Sequence, residues 1–405
     1  MALNIGVVHW AFPPVTGGVE MHLMTVAPEM VRQGAEVSLL CGTVAGEPST
    51  ETVEGVTVVR RDGMVTEQIA RALEADEDLY HRSQAMFDAF LDEHGIDVIQ
   101  AHNLHLDFLD VSRALRAACR ERAVPYYLVI HNDVFLDRSE ERTMRILEEI
   151  DWDVLVPISR FIQESLAPRL PTIPSRKWTV IVHGIDIDRF SPKPETEKNV
   201  LKSQYGLEGR RVILHPARFL PWKGIVEALQ GLRRVVRQFP EAILVMTGRA
   251  QRIYEDQDEL ALYDAEIDRT IRENHLEEHV HIGTYDHDDI PRLTALSDVV
   301  IYTTVGDEPF GLVPVEAMAC GVPVIVTNSG GLTESVVDGQ TGFVISKNEE
   351  RLPQELAARV IELLDDEALA DELGRRGRER AESKFDKQRM ARDFIRLSRQ
   401  LLDGD

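Results

Sequence analysis

The stretch 298–328, "DVVIYTTVGDEPFGLVPVEAMACGVPVIVTN", decides how this chain folds. An apolar run rich in β-branched and aromatic residues ends at Thr304. A loop with Gly306, Asp307, Glu308 and Pro309 follows. A helix is expected from about Gly311 to Cys320, with Pro314 tolerable only because it falls in the first turn, where its missing N–H has no partner anyway. "GVPVIVTN" then reads as the next strand. Both strands are continuously apolar, as strands of a parallel sheet covered on both faces should be. Phe310, Gly311 and Leu312 stand at the helix start, where backbone N–H groups have no intrahelical acceptor and suit phosphate or sugar oxygens. Glu308 falls at the loop tip and Glu316 about one and a half turns into the helix. Each has an ordinary reading, as an exposed loop acid and as an acid favoured by the helix dipole. Each also has a functional one, since most other acids of the chain sit among charges and these two flank an apolar bend.

The same alternation runs through the whole sequence. "NIGVVHW", "EVSLLCG", "DVIQAHN", "YYLVIHN", "VLVPIS" and "WTVIVHG" are strand-like in the first half. "VILHPAR", "AILVMTG", "VHIGTY", "VVIYTT" and "PVIVTN" are strand-like in the second, with helix-period segments between many of them. Strand–helix alternation predicts an α/β protein with doubly wound, Rossmann-like parallel sheets. A polar, proline-containing stretch, "HGIDIDRFSPKPETEKNVLKSQYGLEGRR", interrupts the pattern before a fresh strand. It divides the chain into domains at 1–190 and 191–385, followed by an amphipathic helix at 386–405. A length of 405 residues, 43% of them apolar, suffices for two cores.

The net charge of −24 speaks against general nucleic-acid binding, which needs a basic stripe. Much of the acid excess falls on helical stretches and serves solubility. Cys41, Cys119 and Cys320 lack metal-site spacing, and any disulfide would leave one unpaired, so a reducing, cytoplasmic compartment fits best. "MALNIGVVHWAF" has no basic n-region or cleavage site and reads as a first strand. No apolar stretch reaches membrane-spanning length.

Three other places carry chemistry. "HPARFLPWKGI" sets Arg218 and Lys223 in a strand-to-helix loop, where two cations can neutralise a phosphate group without a metal, or stand simply as surface cations. "PPVTGGVEMH" is a Gly-Gly turn entering a helix, and Gly17 and Gly18 let a phosphate approach the backbone. "LVIHNDVF" puts His131 at a strand end; a lone histidine there is usually a satisfied core residue.

Together these motifs resemble retaining glycosyltransferase family 4 (glycosyl transferases group 1). That family's signature has two glutamates with seven residues between them around a Phe-Gly pair, and "EPFGLVPVE" fits it without a gap. The resemblance spans nearly the whole chain and is best in the second half, including "NSGGLTESVVDGQTGFVI". It implies the GT-B fold, two Rossmann-like domains facing each other across a cleft, with the last helix crossing back onto the first domain. It implies an N-terminal acceptor-binding domain and a C-terminal domain for a nucleotide-sugar donor. It assigns Glu316 to the ribose hydroxyls and Glu308 to the donor sugar. The Phe310–Leu312 amides would take the sugar or phosphate, Arg218, Lys223, Gly17 and Gly18 the diphosphate, and His131 the sugar at the cleft. It implies no cofactor and no metal.

The expected reaction is hexosyl transfer with retention from a nucleotide-diphosphate sugar to a hydroxyl of a small molecule, glycan or lipid. A UDP-sugar is favoured, with GDP-mannose next, and no nucleic-acid partner is expected. The donor base would be read by backbone and by the loop "GTYDHDD" (283–289). The acceptor is expected near 102–107 and 131–138. Two alternatives stay open: a sugar-nucleotide epimerase of the same architecture, and a non-catalytic nucleotide-sugar-binding subunit. "DID" (186–188), "DWD" (151–153) and "HNLH" (102–105) look like metal-ligand spacings, but the first matches the family's interdomain turn, the second begins a strand, and the third reads better as an acceptor-side loop.

Overall fold

A computed structural model describes residues 2–15, 17–66, 68–69, 72, 78–106, 108–132, 140–248 and 257–404. The chain forms two compact units, Met1–Gly184 with Lys387–Asp405, and Ile185–Asp386.

The first unit is built on β1 (Leu3–Val8), β2 (Ala35–Cys41), β3 (Thr50–Val53), β4 (Val56–Arg60), β5 (Val98–His102), β6 (Tyr126–Ile130) and β7 (Val154–Pro157). Their order is β3-β4-β2-β1-β5-β6-β7. All neighbours are parallel except β3 and β4. That hairpin turns at Glu54 and Gly55, both at positive φ (47° and 87°), the geometry that matches the twist of a two-residue hairpin. The order reverses on either side of β1, so the loops after β1 and β5 open at the crevice where such sheets take ligands.

"WTVIVHG" does not become a sheet strand: Trp178 makes one bridge to Leu155, and the chain then runs beside β7 with the Ile181 N–H donating to Pro157 O at 3.2 Å. The β3–β4 hairpin, by contrast, is an element the sequence reading passed over. The Lys387–Asp403 helix buries Met390, Ala391, Phe394 and Leu397. Phe394 stacks near Tyr127, and Ser398 lies 3.3 Å from the Tyr127 hydroxyl, which ties this helix to β6.

The second unit holds β8 (Arg211–His215), β9 (Ala242–Met246), β10 (Val280–Ile282), β11 (Val299–Tyr302), β12 (Val324–Thr327) and β13 (Phe343–Ile345). They are wholly parallel in the order β10-β9-β8-β11-β12-β13. The Ile225–Gln238 helix buries Ile225, Ala228, Leu229, Leu232 and Val235, a 3.6-residue stripe. Here the order reverses between β8 and β11. The loop after β8 carries Arg218 and Lys223, and the loop after β11 carries Glu308. Chain topology alone therefore brings the distant motifs 215–225 and 307–324 to one crevice.

Candidate active site

The β8 loop closes in a 3₁₀ turn, Pro221–Lys223, and enters its helix through Gly224 at φ 67°. A Cβ on Gly224 would lie 1.9 Å from the Thr303 carbonyl oxygen, so only glycine lets this turn meet the end of β11. Val305 N–H donates to Trp222 O at 2.9 Å and fastens the two loops together. The bend at Glu308 is held from the other side. Its N–H donates to Ser329 Oγ at 3.1 Å, and Gly331 N–H donates to its carbonyl at 2.8 Å. A Cβ on Gly330 would come 2.2 Å from that carbonyl, which accounts for a glycine at φ 46°. The "NSGG" loop is thus a brace for the acidic bend.

Lys223 and Glu308, 85 residues apart, meet as a buried ion pair, Nζ to Oε2 at 2.6 Å. Their side chains are 6% and 12% exposed. Lys223 Nζ also donates to Tyr302 Oη at 2.5 Å, and Tyr302 Oη donates to the same Glu308 oxygen at 3.0 Å. The Trp222 ring lies 3.8 Å from the ammonium. Burial pulls the Lys223 pKa below the ordinary lysine value, and the Glu308 contact opposes that pull. Arg218 is exposed in the same loop, near enough to depress Lys223 further.

Glu316 lies in the Leu312–Ala319 helix, whose N-cap residue is Gly311 at φ 79° and which has no side-chain cap. The Phe310 side chain is in the core against Phe385, so only its backbone can face a ligand. The Glu316 carboxylate finds no hydrogen-bond partner among the described residues. Desolvation pushes it up to about 7, partly offset by Arg189. Arg189 is itself anchored on the 283–289 loop, through His287 and Asp288.

In the first unit, Gly17 precedes the Gly18–Arg32 helix in extended geometry, and its N-terminus has no side-chain cap. His131 is buried at the end of β6, in a group the sequence did not reveal. His131 Nε2 lies 2.8 Å from His102 Nδ1, His102 Nε2 lies 2.9 Å from Gln100 Nε2, and His22 Nδ1 lies 2.8 Å from His183 Nδ1. Burial holds His22, His102 and His131 well below the usual histidine pKa and His183 down at about 3, so the group is neutral. Among the described residues, His22, His102 and His131 are the one set with nitrogens close enough to share a metal ion, within 4.8 Å of one another. Within that set only His102 and His131 are hydrogen-bonded to each other, while His22 is paired with His183.

"HNLH" does not act as a chelating pair. His102 turns to His131, whereas His105 Nε2 faces the Asn132 carbonyl at 3.0 Å. Residues 107 and 133–138, part of the expected acceptor surface, lie outside the described residues. The sequence reading also missed Tyr302, whose only signal was a hydroxyl-bearing aromatic at the C-terminal end of a central strand.

Residues 16–189 match the model of Glycosyltransferase Family 4, and residues 197–380 that of Glycosyl transferases group 1. The chain is a glycosyltransferase. It is 28% identical over 427 aligned positions to a glycogen synthase of Mycobacterium tuberculosis, covering 96% of this chain and 92% of that protein. Among solved structures, the glycosyltransferase superposes on sucrose-phosphate synthase from Thermosynechococcus elongatus with a TM-score of 0.80 at 21% identity, all of both chains being covered. It superposes on Anabaena HepE, solved with UDP and glucose, with a TM-score of 0.75 at 21% identity over 98% of this chain and 99% of that one. The fold is GT-B. Among the described residues, no helix is long and apolar enough to cross a membrane.

Proposed function

We propose that this glycosyltransferase moves a hexosyl group from a nucleotide-diphosphate sugar to a hydroxyl acceptor, with retention of configuration and without a metal. The observation that carries the reading is the Lys223–Glu308 pair at the strand-order reversal of the second unit. A buried ammonium beside an exposed arginine, at a loop entering a helix, is suited to the charge that grows on a departing diphosphate. Glu308 would take hydroxyls of the donor sugar, and the Phe310–Leu312 amides the sugar or phosphate. Gly17 and Gly18 are assigned, on the family resemblance, to the diphosphate, and His131 to the sugar. A UDP-sugar is favoured, with GDP-mannose next; the UDP and glucose in the HepE structure support that order. We further assign the unit 1–184 to the acceptor, the unit 185–386 to the donor, and the protein to the cytoplasm.

The sequence supplies no obvious nucleophile for double displacement; on the family resemblance, the acceptor would attack from the leaving-group side and the phosphate oxygen would take its proton. His131, neutral and hydrogen-bonded, positions a hydroxyl and is no strong base. The test is transfer by the purified chain with UDP- and GDP-sugars, with and without EDTA. Turnover unchanged by EDTA supports the reading. Turnover abolished by EDTA and restored by a divalent ion overturns its metal-free part, and hydrolysis-free epimerisation without an acceptor favours the epimerase.

Glu316 supplies a pH signature. A carboxylate that accepts ribose hydroxyls must be ionised, yet burial raises it to about 7 in the free protein. Protons therefore compete with the nucleotide below neutrality. Nucleotide affinity is expected to fall about tenfold from pH 8 to pH 6, the factor that one titrating group near 7 imposes. Glu316→Gln should bind weakly at both pH values with that slope abolished. A slope unchanged in the variant assigns the titration elsewhere.

A further inference from the structure

Tyr302 ends β11 and is buried, 6% exposed. Two charged groups meet at its hydroxyl: the Lys223 ammonium, from the loop after β8, and the Glu308 carboxylate, from the loop after β11. Their chemistry leaves one assignment of protons. An ammonium only donates and a carboxylate only accepts, so the phenol must take a bond from Lys223 and give its own hydrogen to Glu308. Glu308 Oε2 thus receives two bonds, from Lys223 and from Tyr302. Glu308 Oε1 receives none from the described residues. The ring centroid also lies 4.7 Å from the ammonium, which the Trp222 ring approaches as well.

We propose that Tyr302 is a positioning residue of the transfer site: its hydroxyl fixes the Lys223 ammonium to one Glu308 oxygen and leaves Oε1 as the oxygen offered to the donor sugar. This rests on the donor reading given above and adds the reason the pair has a single geometry. Without the hydroxyl, the carboxylate rotates between its two oxygens and the ammonium loses an acceptor. The phenol suits the task because burial, reinforced by Glu308, keeps its pKa well above the usual tyrosine value, so it donates throughout the working range. The other titratable groups around Lys223 do not replace it. His215, from the end of β8, is held at about 3 by burial and carries no charge; it bonds Thr303 instead. Arg218 repels the ammonium, and Glu316 acts on the phenol only at a distance.

The experiment is Tyr302→Phe, which keeps the ring and removes one oxygen. Loss of a hydrogen bond to a charged group should lower kcat about tenfold, with the donor KM within about twofold. The alkaline limb of the kcat/KM profile should move to lower pH, because the ammonium has lost an acceptor that favoured its charged form. A merely structural tyrosine would not move that limb. Calorimetric binding of the nucleoside diphosphate to the same variant shows that the site is folded. A variant that binds the diphosphate with wild-type kcat and an unmoved limb overturns the proposal while the donor reading stands. A wild-type chain that binds no nucleotide-sugar overturns both.

Discussion

Lys223→Ala is expected to lower transfer about 10²–10³-fold, the usual consequence of removing one preorganised group that stabilises charge on a leaving group. Two features of the structure make the effect large. The ammonium is buried, so its field is not screened by water. It is also held before any donor arrives, by Glu308 and Tyr302, so no reorganisation is needed during the reaction. The affinity for a nucleoside diphosphate should fall with turnover, whereas that for the nucleoside alone should not. A stability loss of about 3 kcal/mol, the low end for unpairing a buried charge, accompanies the change, since the Glu308 carboxylate loses its cation. Steady-state kinetics with calorimetric titration of UDP and uridine checks all of this. Unaltered diphosphate affinity would remove Lys223 from the phosphate site.

Glu308→Ala should separate the same two functions in the opposite sense. Its carboxylate is assigned to the donor sugar, so transfer falls about 10²-fold as sugar positioning is lost. Diphosphate affinity should stay within about threefold, because the phosphates can replace the carboxylate as the counter-ion of Lys223. Measured side by side, Lys223→Ala weakens the diphosphate and Glu308→Ala weakens only the intact nucleotide-sugar. Equal losses for diphosphate and nucleotide-sugar in Glu308→Ala would place that residue on the phosphates.

Much of the second unit was legible in the sequence because its signals are local. Apolar runs gave β8 to β12, and the glycine and proline positions bracketed the Leu312–Ala319 helix closely. The meeting of residues 218–223 with 308 was not legible from spacing, because it depends on strand order; the family resemblance supplied it. Tyr302 was hidden for the same reason, being one more residue of an apolar strand until Lys223 is folded against it. In the first unit, "WTVIVHG" has strand composition but gains only a single bridge beyond β7. The histidine group joins the ends of β5 and β6, the first turns of the Gly18–Arg32 helix and position 183. No sequence period links those four places, so each histidine looked alone.

The most direct test of the donor site is a thermal-shift panel of UDP, GDP and ADP with their common sugar conjugates, run on the wild-type chain and on Lys223→Ala, with and without EDTA. A ligand at about 100 times its Kd adds roughly 2.7 kcal/mol when it binds only the folded state. One base, uracil before guanine, is expected to stabilise the wild type as diphosphate and as sugar conjugate, indifferent to EDTA, with the shift largely lost in Lys223→Ala. No shift from any nucleotide, or an equal shift in the variant, would contradict a donor diphosphate held at Lys223.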